Sequence, residues 1–362
     1  MQRIHRFRES PMTLAAPARA DLPPAPMRHS IFSVQDHHPS LPRTVPALYD
    51  QVIAQAELAE TLGYDTFFVA EHHFHEYGAV PNPAVFLAAL AQRTRHLRLG
   101  SAISILTFHH PLTVAESYAM VDVLSGGRLT LGTGSGYLKH EFAGYRIDLA
   151  EKRDRFDEGL AVMKQALSGA RVTHKGRYWA LEDVAINVPC VQKPTPPLYV
   201  AILAREAAYH VARQGNHVFA VPYASVDRFD EVGGIVEGFH RGWDESGAAS
   251  PGDAVFAFHT HVAETDDEAR RRASDAFDLY VATRLYARRQ TYGDIMASGL
   301  SLMGGVETVV DKLVRLHRMG ITHVMHLQNF GMLDPAHVDD SMRLLMQEVV
   351  PRVNRILGNA GA

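Results

Sequence analysis

Hydrophobic and polar positions repeat along this chain in one order: a short apolar run, then a stretch with apolar residues every three or four positions. The runs at 29–34, 65–70, 97–105, 128–132, 198–203, 217–221, 255–262 and 323–327 read as buried strands bounded by turn residues. The stretches between them read as helices. Thr44 caps one, with Pro46 in its first turn, Leu48, Val52, Ala59 and Leu62 on one face, and Gly63 at its end. Asn82 and Pro83 open another that runs to about Thr94. Pro111–Leu124 is helical and stops at Gly126 and Gly127; Lys152–Leu167 is helical too. Further helices are expected near Ala207, Phe229 and Asp267, over 306–319, and from Pro335 to about Val350. Eight strands, each followed by helical sequence, predict an α/β chain folded as a (β/α)8 TIM barrel with insertions. An open doubly wound sheet expects fewer strands and a Gly-rich first turn, and none follows Val34.

The pattern lapses in four places. Residues 1–27 hold five prolines and little apolar periodicity, and are expected to be a disordered tail, with translation starting at Met12 or Met27. The barrel is expected to fill 28–355, leaving 356–362 as a C-terminal tail. Within it, 171–197 is an excursion with the strand-like pieces RYWAL and VAINV, closed by Lys193-Pro194-Thr195-Pro196-Pro197. The segment 281–303 is poorly periodic after Tyr286 and is expected to act as a lid over the barrel mouth.

Composition narrows the class. With 46% apolar and 21% charged residues the chain can bury a large core. A net charge of −4 without a basic cluster argues against a nucleic-acid partner. No apolar run reaches the length of a membrane span. Cys190 is the single cysteine, so no internal disulfide forms and a cytoplasmic location is expected.

Barrels place their chemistry at the C-terminal strand ends. The second strand ends in Glu71-His72-His73-Phe74, the third runs into Ser104 to His110, and the fourth into the Gly-rich Gly132 to Tyr137. A histidine there can serve as base or hydrogen-bond donor near neutral pH. Twenty-one histidines also raise a metal reading. His73-x-His75 and His259-x-His261 have ligand spacing, but the first strand ends in Asp36-His37-His38 without it, and no catalytic metal is expected.

AEHHF after the strand DTFFVA resembles the luciferase-like flavin monooxygenases. The resemblance continues through GSAISILTFHHP, ESYAMVDVLSGGRLTLGTGSGY, VQKPTPPLYVA and GITHVMHLQNFGML, in family order across nearly the whole chain. It implies that His72 is the catalytic group beside a flavin ring and that Ala102-Ile103 lies against that ring, often as a cis peptide. It implies that Gly134, Ser135, Gly136 and Tyr137 cradle the phosphate with the loop after the fifth strand. The family commonly has small residues or hydroxyls in that loop; this chain departs with Leu203-Ala204-Arg205, of which Ala204 and Arg205 are the expected cofactor contacts. Many members carry arginine where this chain has Ser135, and Arg205 is expected to supply the missing cation. The implied cofactor is reduced FMN from a separate flavin reductase, and the implied co-substrates are dioxygen and a small organic molecule. A homo-oligomer, commonly a homodimer, is implied as well. The alternatives are a deazaflavin-dependent oxidoreductase on the same fold, a non-enzymatic flavin-binding relative, and a metal-dependent barrel hydrolase.

Overall fold

The computed structural model describes residues 26–76, 78–283 and 290–358. The chain enters through β1 (Arg28–Ser33), α1 (Val45–Leu62), β2 (Thr66–Val69), α2 (Pro83–Arg93), β3 (Arg98–Ile105), α3 (Pro111–Leu124) and β4 (Leu129–Gly134). Two helices follow, α4 (Lys139–Tyr145) and α5 (Lys152–Leu167), then a hairpin of β5 (Val172–Lys175) and β6 (Ala180–Val184). The barrel resumes with β7 (Leu198–Ile202), α6 (Ala207–Arg213), β8 (His217–Ala220), α7 (Pro222–Ser225), α8 (Gly233–Ser246), β9 (Ala254–Ala263) and α9 (Asp266–Thr283). It ends with α10 (Tyr292–Ser298), β10 (Leu302–Gly305), α11 (Val306–Arg318), β11 (His323–Asn329), α12 (Pro335–Leu344) and α13 (Val350–Ile356).

Eight strands close the barrel. β1, β2, β3, β4, β7, β8, β9 and β11 pair in parallel in that order, and β11 returns to β1 with Arg28 opposite His323. All eight were legible as apolar runs. The caps that begin α1 and α2 are made as their residues dictate: the Thr44 hydroxyl accepts from Ala47 N and the Asn82 side chain from Val85 N, while Gly63 ends α1 at φ 79°.

Two strand features depart from the expectation. In the excursion, β5 precedes RYWAL and β6 takes only Ala180 and Leu181 of RYWAL and Val184 of VAINV, because residues 176–179 form the hairpin turn. Gly176 N donates to Trp179 O, and the Glu158 carboxylate accepts from the N–H groups of Arg177, Tyr178 and Trp179. A side chain from α5 therefore fixes a turn that the local pattern reads as strand. In the segment 281–303, the end of α9 is followed by α10 and by β10, which pairs with the last four residues of β9; residues 284–289 lie outside the described residues. The expected tails lie outside them too, apart from 26–27 and 356–358.

Aromatic rings fill the barrel beneath its mouth. Tyr199 stacks on Phe219 with centroids 4.6 Å apart, and Phe68 meets Phe219 edge-on at 5.1 Å. Gly132 makes room for this packing, since a Cβ there would lie 2.2 Å from the Phe219 ring. The aromatic layer forms the floor of a cavity at the C-terminal strand ends.

Candidate active site

The cavity has a volume of ≈ 370 Å³ and opens where β1, β2, β3, β4, β7 and β8 end. Its lining is mostly apolar, with Phe32, Phe156, Ile202, Phe219 and Met325 among its walls. A wider hollow of ≈ 510 Å³ lies between α9 and the loop before α12. Glu268, Arg271 and Arg272 in that hollow are already engaged in ion pairs with one another, and its lining offers no ring-sized apolar wall. The first cavity is therefore the better candidate.

Two buried carboxylates organise its β2–β3 side. Glu71 is 2% exposed. Its Oε1 accepts from His73 Nε2 at 2.9 Å and His109 Nε2 at 2.6 Å; its Oε2 accepts from Ser104 Oγ and Ile105 N, both at 3.0 Å. Burial alone would raise this carboxyl, but the bonds from His109 and His73 outweigh it and bring it down to about 2. The Tyr145 hydroxyl meets His73 Nδ1 at 3.1 Å, so donation from Tyr145 to Nδ1 and from Nε2–H to Glu71 satisfies the neutral imidazole. Glu71, His73 and His109 are, among the described residues, the group whose ligand atoms converge within 4.8 Å, and these hydrogen bonds occupy them. The His259-x-His261 pair does not form such a group: His259 packs among Tyr223, Phe277, Tyr280 and Phe330, and burial pushes His261 down to about 4.

The second carboxylate is Glu141, 1% exposed, in the first turn of α4. Its Oε1 accepts from His72 Nδ1 at 3.1 Å and from the backbone N–H of His73 at 3.0 Å. Donation from Nδ1 fixes the ring's orientation and, in the neutral imidazole, makes Nε2 the accepting nitrogen. His72 lines the cavity. A cavity-facing imidazole braced by a buried carboxylate can take or return a proton at one defined atom.

The profile of the luciferase-like monooxygenases matches residues 27–323. The chain belongs to this family. Limonene 1,2-monooxygenase of Rhodococcus erythropolis is 28% identical over 329 residues, 85% of this chain and 82% of its own. The oxygenase component of a flavin-dependent trigonelline monooxygenase from Acinetobacter baylyi is 27% identical over 256 residues, 70% of each chain. The crystal structure of the monooxygenase RslO1 from Streptomyces bottropensis superposes with a TM-score of 0.82 at 27% identity, covering 90% of this chain and 99% of that one. A shorter match, 31% over 150 residues, links the chain to an F420-dependent glucose-6-phosphate dehydrogenase of Microbacterium testaceum, covering 40% and 44% of the two chains.

The luciferase-like site residues expected from the sequence are brought together with one exception. His72, Ala102, Ile103, Gly134, Ser135, Gly136, Tyr137 and Ala204 all line the cavity. The Ala102–Ile103 peptide is cis, and Ile103 O accepts from Glu71 N at 3.2 Å. Gly134 leaves room for the Ile103 side chain, since a Cβ would lie 2.3 Å from Ile103 Cδ1. Arg205 stands apart. The loop from Leu203 to Glu206 is exposed and carries its guanidinium outward onto Gly234, where an added Cβ would lie 2.0 Å from Nη2. Instead, Lys152 and Arg153 of α5 line the cavity. Sequence reading placed these two in a helix and went no further, and it passed over Glu141. The signal for Glu141 was its place seven residues beyond Gly134, in a helix that opens directly from the Gly-rich loop. Among the described residues no helix is long and apolar enough to cross a membrane.

Proposed function

We propose that this enzyme is the oxygenating component of a two-component monooxygenase, taking reduced FMN from a separate reductase and inserting one atom of dioxygen into a small organic substrate. The observation that carries the reading is His72 at the cavity wall, braced through Nδ1 by the buried Glu141. The cavity fits the cofactor. Its largely apolar β3–β4 wall at Ala102, Ile103 and Gly134 suits a ring, and Ser135, Gly136, Tyr137 and Ala204 suit its tail. Reduced FMN, when bound, supplies the electrons that let one oxygen atom enter the substrate while the other leaves as water.

The chain's own residues do the rest. Phe32, Phe219, Ile202 and Met325 exclude water from the reacting end of the cavity. His72 holds or moves a proton at Nε2, with Glu141 stabilising the imidazolium whenever it forms. Glu71 joins the ends of β2 and β3, so the wall that bears Ile103 and the wall that bears His72 keep their relative position.

The test is a titration of the protein with reduced FMN and with reduced F420, followed by oxygen uptake with each against a panel of organic compounds. Tight binding of reduced FMN with substrate-dependent oxygen uptake is expected. Binding of F420 alone, with no oxygen consumed, would replace this reading by the deazaflavin-dependent one that the shorter match favours.

A further inference from the structure

The charged residues that line the cavity differ in how fully they are neutralised. Glu71 accepts four hydrogen bonds and is closed off. The two cations, Lys152 and Arg153, come from the first turn of α5. Arg153 Nε bonds Asp157 at 2.7 Å on an open surface, where such a pair is weak and readily shared. Lys152 has no ion-pair or hydrogen-bond partner among the described residues, although its side chain is partly withdrawn from solvent. The same cavity is lined by Ser135, with its hydroxyl, and by Gly136, which leaves the backbone open. Lys152 therefore brings an unpaired cation, and Arg153 a loosely paired one, to a cavity wall that also offers polar groups suited to an anion. The cation expected in this role, Arg205, packs on Gly234 outside the cavity.

We infer that Lys152 and Arg153, together with Ser135, form the site for the phosphate monoester of the flavin. The inference rests on the flavin reading of the cavity and adds which residues hold the cofactor's anionic end. The lysine ammonium acts as a point charge toward the dianion, and the guanidinium turns from Asp157 to share it. In this arrangement the two cations come from α5, the second helix after the Gly-rich loop.

Affinities for FMN and for riboflavin, which lacks the phosphate, measured by fluorescence quenching, test the assignment. Wild type is expected to bind FMN more tightly than riboflavin. The variant Lys152→Met/Arg153→Met should lose roughly 10- to 100-fold in FMN affinity, with riboflavin affinity unchanged and each single variant intermediate. Arg205→Met should leave both affinities as they are. A wild-type preference for FMN that survives in the double variant overturns the assignment and leaves the flavin reading standing. So does an equal loss of both ligands, or transfer of the effect to Arg205→Met. If wild type binds neither flavin, the flavin reading falls and takes this assignment with it.

Discussion

The barrel carries a buried polar network at each end, and they are built differently. At the N-terminal end, the Asp253 carboxylate accepts from Arg28 Nη2 and the Tyr199 hydroxyl, both at 2.6 Å, and from His323 Nδ1 at 3.1 Å. His323 Nε2 in turn meets Ser30 Oγ at 2.7 Å. Burial would raise the Asp253 carboxyl, but His323 and Arg28 hold it well below the usual carboxylate range. Apart from Arg28, which is partly exposed, the members of that network are largely buried. At the C-terminal end, Glu71 is closed in the same way, yet Glu141 holds an imidazole that faces a cavity. The lower network spends its charge on joining β1, β7 and β11 to the residue just before β9; the upper one leaves an imidazole facing a cavity. Burial and pairing are common to both, so neither marks the site. A braced group that still meets open volume does.

That contrast can be broken by substitution. The largest effect is expected from His72→Ala, which should lower coupled product formation by about 10²- to 10⁴-fold while oxygen is diverted to hydrogen peroxide and the fold persists. Product yield, peroxide and circular dichroism measured on one preparation check it; undiminished yield removes His72 from the chemistry. Asp253→Asn should do the opposite, costing about 2–3 kcal/mol of stability, a figure discounted because Arg28 is partly exposed, with flavin affinity intact. Denaturant unfolding beside a flavin titration tells the two outcomes apart. Glu141→Gln keeps an acceptor for His72 Nδ1 and removes the charge. A drop of about tenfold in turnover, with a changed pH profile and little change in affinity, is expected from a positioning role. An unchanged pH profile would leave Glu141 as structural support only.

Acid sharpens the comparison from a third place, between barrel and helices. His29 Nδ1 meets His326 Nε2 at 3.0 Å, and Thr260 Oγ1 meets His326 Nδ1 at 3.0 Å. Burial pushes His29 down to about 3 and His326 well below its ordinary value, so both rings stay neutral when folded. The unfolded chain takes up these protons below pH 6.5 and the folded chain does not. The stability they confer is therefore complete above pH 6.5 and declines as pH falls toward 3, by about 1.4 kcal/mol per unit for each ring. Chemical denaturation at pH 7.5, 6 and 5 reads this slope, and His29→Phe should flatten it.

Much of the fold was legible because each barrel strand is an apolar run between turn residues, and because Thr44, Asn82 and Pro83 are strong local signals. What escaped depends on partners remote in sequence. β10 is four residues with two glycines, and exists as a strand because the overhanging end of β9 pairs with it. The turn at 176–179 is set by Glu158. In the site, the positions on strand ends could be read from the motifs alone. The Glu141–His72 bond joins residues 69 apart, and the outward path of Arg205 is decided by the exposed loop that carries it.

The way Glu71 fastens Ser104, Ile105 and His109 has a bearing on how new substrates gain entry. One half of the rim is riveted: altering it displaces several backbone segments at once, and activity goes with them. The opposite half, Leu203 to Glu206, is exposed and has no side-chain hydrogen bond among the described residues. A library confined to Arg205 and Glu206, which lie outside the cavity lining, would vary that side of the entrance while the reacting wall and the cavity-lining Ala204 stay in register.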